Sequence, residues 1–384
     1  MVRHDTKVSK INKRKIAIAA ITLVLSICLC LPTLSSYNKQ VVANAKGESS
    51  GYVVIEASST RVLKEYNAHI ALPMASTTKI MTALVVLEQA NLNDVVAIPN
   101  EAVGIEGSSI YLKKGDKMSV KDLLYGLMLR SGNDSSVALA IHTAGSVSKF
   151  VELMNSKAKT LGLKNTKFQN PHGLSEKEHY VSAYDLAIIT AEAFKNETFK
   201  QIVSTKMHVV KGENEEENRY FANKNRILYN YEGANGVKTG YTMEAGRCLV
   251  ASSERNGMQV IAVALNYYDY FDLCASLMDY AHSNYRMEKL LDVDKSYESV
   301  AVKKGKKTKS ADLHVLENRY YPVKNDESEQ IREEITAIDQ IVAPHNKENS
   351  CGEVKIYVGN DLIFKQKLYT IYNIEKKSLF DFLR

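Results

Sequence analysis

Residues 233–266 read GANGVKTGYTMEAGRCLVASSERNGMQVIAVALN, and their pattern decides the fold class. Gly233 to Thr242 has the texture of a strand. Arg247–Ser253 and Met258–Asn266 are two more apolar, strand-like runs, joined by a turn containing Asn256-Gly257, a pair that tight hairpins favour. A helix is predicted beyond them, from roughly Asp272 to Asn284. Far upstream, Gly51 to Tyr66 alternates apolar and polar residues around Ser58-Ser59-Thr60, which predicts another hairpin. A helical block lies between. Ala71–Ala90 carries an apolar stripe at Ile80, Ala83, Leu84 and Leu87, with Pro73 near its start. Ser119–Asp122 is a capping box for a helix that ends at Arg130, and a second helix opens near Asp134. Another runs from Val147 to Leu161 and is closed by Gly162; Ser182–Asp185 caps one that reaches Ala193. Strands at both ends with helices inserted between them predict an α+β domain built on an antiparallel sheet.

From about Leu290 the texture changes to short strands and polar turns: Ser299–Val302, Leu313–Leu316, Ile331–Ile338, Val354–Val358 and Leu362–Tyr372. These predict a small C-terminal β domain over 289–384, with the basic run Lys303–Lys309 as a solvated hairpin tip. At the other end, a basic stretch ends at Lys15, a largely apolar run covers Ile16–Leu31, and Ala43-Asn44-Ala45 offers a small-x-small cleavage site. Residues 1–45 therefore read as an export signal, the apolar run being shorter than the ~20 residues a spanning helix needs. The catalytic part is expected over 46–288. The formal net charge of +6 lies wholly within residues 1–45, so it argues for no nucleic-acid partner. Beyond the signal the chain has Cys248, Cys274 and Cys351, an odd and scattered set that predicts buried thiols rather than a disulfide framework or a zinc site.

Three short motifs carry the chemistry. Ser76-Thr77-Thr78-Lys79 puts a hydroxyl and an amine at i and i+3, on one face of an otherwise apolar helix. A buried amine loses proton affinity, so a neutral Lys79 could take the proton of Ser76, at a helix N-terminus whose N–H groups suit a developing oxyanion. Ser131-Gly132-Asn133 falls in a link between helices; alone it reads as turn chemistry, with the glycine supplying a positive φ. Facing the first motif across a cleft, Ser131 could pass a proton to a leaving amine and Asn133 could hold a peptide group. Lys238-Thr239-Gly240 sits on a strand. An edge strand binds an extended peptide through its backbone, Gly240 permits close approach, and Lys238, Thr239 and Thr242 suit a carboxylate. His172 and His179 are candidates for a Ser-His mechanism, but no G-x-S-x-G setting accompanies them.

Taken together these motifs resemble the serine-type D-alanyl-D-alanine carboxypeptidases, the low-molecular-mass penicillin-binding proteins. The resemblance extends to Leu72-Pro73-Met74-Ala75, Asn170-Pro171-His172-Gly173-Leu174, Ala183-Tyr184-Asp185, Gly236-Val237 and Ala245–Val250, and covers about residues 50 to 285. It implies the penicillin-binding, β-lactamase-like transpeptidase fold, with a helical lobe beside the sheet. It implies that Ser76 attacks the terminal D-Ala-D-Ala bond of the peptidoglycan stem peptide, with Lys79 as base and Ser131 as proton relay. Asn133 would position the peptide, and Lys238, Thr239 and Thr242 would bind its carboxylate. The N–H groups of Ser76 and Tyr241 would form the oxyanion hole, and β-lactams would acylate Ser76. No metal or organic cofactor is implied.

Two departures stand out. Relatives often place a carboxylate-binding arginine after the last central strand, whereas Tyr267–Asp272 has none. The C-terminal Glu375–Arg384 is shorter than the amphipathic anchor of many relatives, which leaves weak membrane association and a frayed end as alternatives. An endopeptidase acting on cross-links would use the same residues. A β-lactamase reading is weakened by Gly132, where an aspartate would stand, and by the extra β domain.

Overall fold

A computed structural model describes residues 50–212, 215–327 and 330–378. The expected signal, residues 1–45, and the last residues of the chain lie outside them. Strands β1 (Gly51–Glu56), β2 (Val62–Tyr66), β3 (Ala234–Thr242), β4 (Gly246–Arg255) and β5 (Met258–Leu265) form one five-stranded antiparallel sheet in the order β2-β1-β5-β4-β3. Asn256 and Gly257 both adopt positive φ, 51° and 75°, which gives the β4–β5 hairpin its tight turn.

The period-2 alternation of side chains explains why these strands read as nearly continuous apolar runs. Val53 and Ile55 of β1, Val250 of β4, and Ile261 and Val263 of β5 enter one core with the helical block. Their neighbours Val54, Leu249, Ala251, Val260 and Ala262 enter a second core on the opposite face. A one-residue slip would exchange the two sets, so the register is fixed from both sides.

The block between β2 and β3 contains α1 (Lys79–Gln89), α2 (Val120–Leu129), α3 (Asn133–Ala144), α4 (Val147–Thr160), α5 (Ala183–Ala193) and α6 (Glu197–Ser204). Helix α7 (Tyr270–Asn284) covers the other face of the sheet with Cys274, Leu277, Met278 and Ala281. The expected caps are present. Ser119 accepts the Asp122 N–H at 3.0 Å, Ser182 accepts that of Asp185 at 3.1 Å, and Gly162 turns at φ 72° beyond α4.

The start of α1 differs from the expected helix over 71–90. Leu72 is held in a bridge by reciprocal backbone bonds with Val181, both 2.9 Å. The chain then turns through Ala75 at φ 47°, makes the 3₁₀ turn Ala75–Thr78, and becomes α-helical only at Lys79. A tertiary pairing, invisible to helix periodicity, claims the residues before Ser76.

Beyond α7, Glu298–Lys303, Ser310–His314, Ile331–Ala337, Gln340–Val342, Gly352–Val358 and Asp361–Thr370 form a six-stranded sheet. It encloses its own core of Leu291, Leu313, Val354, Ile356 and Leu368. The basic run is the tip between the first two of these strands, as expected. Tyr285–Leu291, not foreseen as a strand, pairs with Arg319–Lys324 and runs across the expected boundary at 288/289. Arg61 of the β1–β2 hairpin ties the two regions together: it donates to Pro322 O at 2.6 Å and to both carboxylate oxygens of Glu327 at 2.8 Å. Its guanidinium lies over the rings of Tyr285 and Tyr321.

Candidate active site

The turn that carries Ser76 is built by its neighbours. Thr77 Oγ1 donates to Met74 O at 2.6 Å and Thr78 Oγ1 to Ala75 O at 2.8 Å. His179 Nδ1 accepts the Gln169 N–H at 3.0 Å, so the ring proton sits on Nε2, which donates to Thr78 Oγ1 at 2.8 Å. Two glycines let other backbones press on this turn. A Cβ at Gly240 of β3 would stand 3.1 Å from Ser76 N, and one at Gly173 would stand 2.0 Å from Ala75 O. Gly173 also adopts φ 93°, so no other residue suits that position. The close approach expected at Gly240 is therefore made by the turn that carries Ser76.

Lys79 is fully buried. Its Nζ lies 3.0 Å from Ser76 Oγ, 2.7 Å from Asn133 Oδ1 and 2.5 Å from His172 O. Two of these partners only accept, whereas the hydroxyl of Ser76 either donates or accepts. Burial first, and the Lys238 ammonium second, hold the amine well below the usual lysine range; the Asp134 carboxylate acts in the opposite sense.

The second motif links α2 to α3. Ser131, not Gly132, has the positive φ, 64°. The reading of Gly132 as the residue that supplies it is corrected. Gly132 is required by crowding, since a Cβ there would meet Asp134 Oδ1 and Ser135 Oγ at 2.8 Å. Ser131 is 6% exposed and Asn133 3%. Beyond its bond to Lys79, Asn133 donates from Nδ2 to Glu106 O at 2.5 Å, which leaves one N–H of the amide uncommitted. The buried carboxylate of Asp134, which the motif reading passed over, accepts from Ser109 Oγ at 2.6 Å and from the N–H groups of Ile110 and Leu112. It pins the 109–112 loop to the start of α3.

The third motif lies on β3, the edge strand of the sheet, as expected. Lys238 is 2% exposed, and its Nζ donates to Thr239 O at 2.8 Å. Burial, then the charge of Lys224, lowers its pKa to about 7. Alternation places Lys238 and Thr242 on the same face as Gly240, toward Ser76, and Thr239 and Tyr241 on the other. Thr242 Oγ1 lies 3.1 Å from Ser175 Oγ and accepts the Ala245 N–H at 3.0 Å. Thr239 lines a cavity together with Lys224, Arg226 and Arg247. The three side chains expected to converge on one carboxylate are thus divided between the two faces of the strand and share only its free edge.

The histidines contact the neighbours of Ser76: His179 through Thr78 and His172, by its carbonyl, through Lys79. Burial holds both imidazoles well below their usual range, which favours the neutral rings. His172 contributes its backbone carbonyl. Sequence reasoning could not have found that group, since a carbonyl has no residue-type signature; the turn signal of Asn170–Gly173 was its only trace.

A profile of the D-alanyl-D-alanine carboxypeptidase family matches residues 38–268, and one of the C-terminal domain of penicillin-binding protein 5 matches 285–376. The chain belongs to the D-alanyl-D-alanine carboxypeptidase family. It is 34% identical to the D-alanyl-D-alanine carboxypeptidase DacF of Bacillus subtilis over 379 residues, 94% of this chain and 96% of that one. It is 40% identical over 206 residues to the D-alanyl-D-alanine carboxypeptidase of a Streptomyces species, covering 50% of this chain and 71% of that one. The solved structure of penicillin-binding protein 5 from Haemophilus influenzae superposes with a TM-score of 0.70 at 29% identity, covering 85% of this chain and 97% of that one. The carboxypeptidase thus has the penicillin-binding transpeptidase fold and a C-terminal β region of the same family type.

Gly173→Ala should displace the nucleophile turn of the carboxypeptidase. The expected outcome is a stability loss of roughly 2–4 kcal/mol together with a large fall in the rate of covalent labelling by fluorescent penicillin. Normal labelling at normal thermal stability would show that the approach of Gly173 to Ala75 is not a constraint.

Proposed function

We propose that this chain removes the terminal D-alanine from peptidoglycan stem peptides through an acyl-enzyme on Ser76. The observation that carries the reading is the Lys79 amine, buried and within hydrogen-bond distance of the Ser76 hydroxyl. A neutral amine has two N–H groups and one lone pair. Asn133 Oδ1 and His172 O take the two hydrogens, and the lone pair is left to face Ser76 Oγ–H. Ser76 Oγ then attacks the carbonyl carbon between the two D-alanines while its proton passes to Lys79. The backbone N–H groups of Ser76 and Tyr241 receive the oxyanion. Ser131 relays the proton to the leaving nitrogen, the C–N bond breaks, and D-alanine departs. Water hydrolyses the ester and restores Ser76. Asn133 presents its remaining amide N–H to the peptide, while Lys238, Thr239 and Thr242 receive the carboxylate around the edge of β3. β-Lactams acylate the same oxygen.

We further propose that residues 46–288 do the chemistry and that 289–384 position the enzyme. The exposed lysines of 303–309 meet Lys376 there: the Lys306 N–H donates to Glu375 O at 2.9 Å and the Lys377 N–H to Lys304 O at 2.8 Å. The short apolar stretch within 375–384 suits weak association of an exported enzyme with the outer face of the membrane. Among the described residues no helix is long and apolar enough to cross one.

Ser76→Ala should abolish covalent penicillin labelling with the fold intact. Lys79→Ala should also lose acylation, and Lys79→Arg should not restore it, because arginine stays protonated. Mass spectrometry of each variant after incubation with penicillin reads this directly; an adduct on Ser76→Ala would reject the nucleophile. Cleavage of the signal predicts a mature N-terminus at Lys46, and N-terminal sequencing that found residue 1 intact would reject it.

A further inference from the structure

The C-terminal region carries positive charge that its ion pairs do not use. Over 289–384 bases and acids nearly balance, 17 against 16, yet seven of the lysines fall in 303–309 and 376–377, with Glu375 as the only acid beside them. The rest of the region is therefore net acidic, and there Lys289 reaches Asp292, Lys295 reaches Glu333 and Lys365 reaches Glu353. The five lysines of 303–309 and Lys376 are exposed, and among the described residues no carboxylate lies within ion-pair distance of them.

Tertiary pairing brings the two groups of lysines to one ridge. Gly305 bridges to Lys376, the Lys306 N–H donates to Glu375 O at 2.9 Å, and the Lys377 N–H donates to Lys304 O at 2.8 Å. Ile374, just before them, is buried in the core of the region and exchanges backbone bonds with His345 at 2.9 and 3.0 Å. The tip itself is tightly wound. Lys304 takes φ 62°, and a Cβ at Gly305 would stand 2.5 Å from Thr308 O and 2.8 Å from Val302 Cγ1. A fixed backbone thus holds like charges side by side. A ligand that neutralises them relieves their repulsion and costs little further ordering of the chain.

The chemistry of the ridge selects its partner. Ammonium groups are point charges without a fork geometry, which suits phosphate. They are strung over two chain segments rather than gathered at one point, which suits a chain of charges over a single ion. Neither 303–309 nor 375–378 contains an apolar or aromatic side chain to enter a headgroup layer, as membrane-seated segments do. We propose that this ridge docks the enzyme on a polymer of phosphate diesters in the wall that holds its substrate. The inference rests on the reading of 289–384 as the part that positions an exported enzyme. Attachment at the ridge raises the concentration of stem peptides around Ser76 without touching the catalytic groups. The chain beyond residue 45 has no net formal charge, so the attraction is local to the ridge and weakens as salt rises.

The test is binding of the chain that begins at Lys46 to immobilised synthetic poly(glycerol phosphate), with phosphatidylglycerol vesicles as a second probe. Lys306→Glu with Lys307→Glu should weaken binding to the polymer at least ~10-fold, and Lys306→Arg with Lys307→Arg should retain it, because charge is what the polymer reads. The same change of charge at Lys159→Glu with Lys164→Glu, exposed on the helical block, should leave the affinity within about twofold. Equal losses in the ridge and control variants would overturn the proposal, as would a wild type that ignores the polymer. Ridge-dependent binding to the vesicles alone would also overturn it and assign the ridge to a membrane. Should the first variant not fold, Lys307→Gln with Lys309→Gln reads the same loss in weaker form. Turnover of a soluble D-Ala-D-Ala peptide should be unchanged in every variant. A ridge variant that loses both polymer binding and this turnover would still support the ridge, and would count against the division of labour between 46–288 and 289–384.

Discussion

The Lys79 amine is enclosed by protein and bonded to three oxygens that come from three separate parts of the chain. An ammonium in such a place is costly, because burial removes its hydration and Lys238 repels it. Burial and Lys238 shift the balance toward the neutral amine, which needs two acceptors and one donor around it. The 3₁₀ turn ahead of α1 supplies Ser76, α3 supplies Asn133, and the 170–174 turn supplies a bare carbonyl. Each of these groups must reach one nitrogen, so the helical block cannot shift relative to α1 without uncovering it.

That requirement accounts for features that look unrelated. Ala75 and Ser131 take left-handed backbone conformations, the first just before Ser76 and the second two residues before Asn133. Gly173 and Gly240 lack side chains where two backbones close on the turn that carries Ser76. Asp134 is buried to hold the loop whose neighbour, Glu106, fixes the amide of Asn133. The sheet carries the assembly because it is packed on both faces and ends in an edge strand at the cleft. Alternation on that strand then sends Lys238 one way and Thr239 the other.

The sheet and the motif residues were legible in the chain because both are written in side chains. Two-faced burial makes Cys248–Ala251 of β4 and Val260–Leu265 of β5 continuous apolar runs, Asn256-Gly257 marks their turn, and Ser76 and Lys79 occur at helical spacing. The misses share a physical cause. The bridge from Leu72 to Val181 joins residues 109 apart and ends the expected helix early, and no local pattern encodes it. The His172 carbonyl acts through backbone that every residue possesses. The positive φ falls on Ser131 rather than on its glycine neighbour, and Gly132 is needed instead for the space that Asp134 and Ser135 leave it. The strand Tyr285–Leu291 carries charged residues on its exposed side and is stabilised by pairing with a distant partner.

The neutral state of Lys79 is the claim on which the rest depends, and its pKa can be measured. Lysine labelled with ¹³C at Cε, observed by NMR in the Ser76→Ala protein with Lys79→Met as the assignment control, reports the titration of this one amine. A folded-state pKa below the ordinary lysine value means that the amine is favoured uncharged. The fraction able to act as base then rises with pH through that pKa, and the rate of acylation of wild type by penicillin should rise with it. The account predicts a Lys79 titration well below that of surface lysines and in step with the acylation profile. A Lys79 that titrates with the surface lysines near 10.5, while acylation proceeds at full rate at neutral pH, would contradict it.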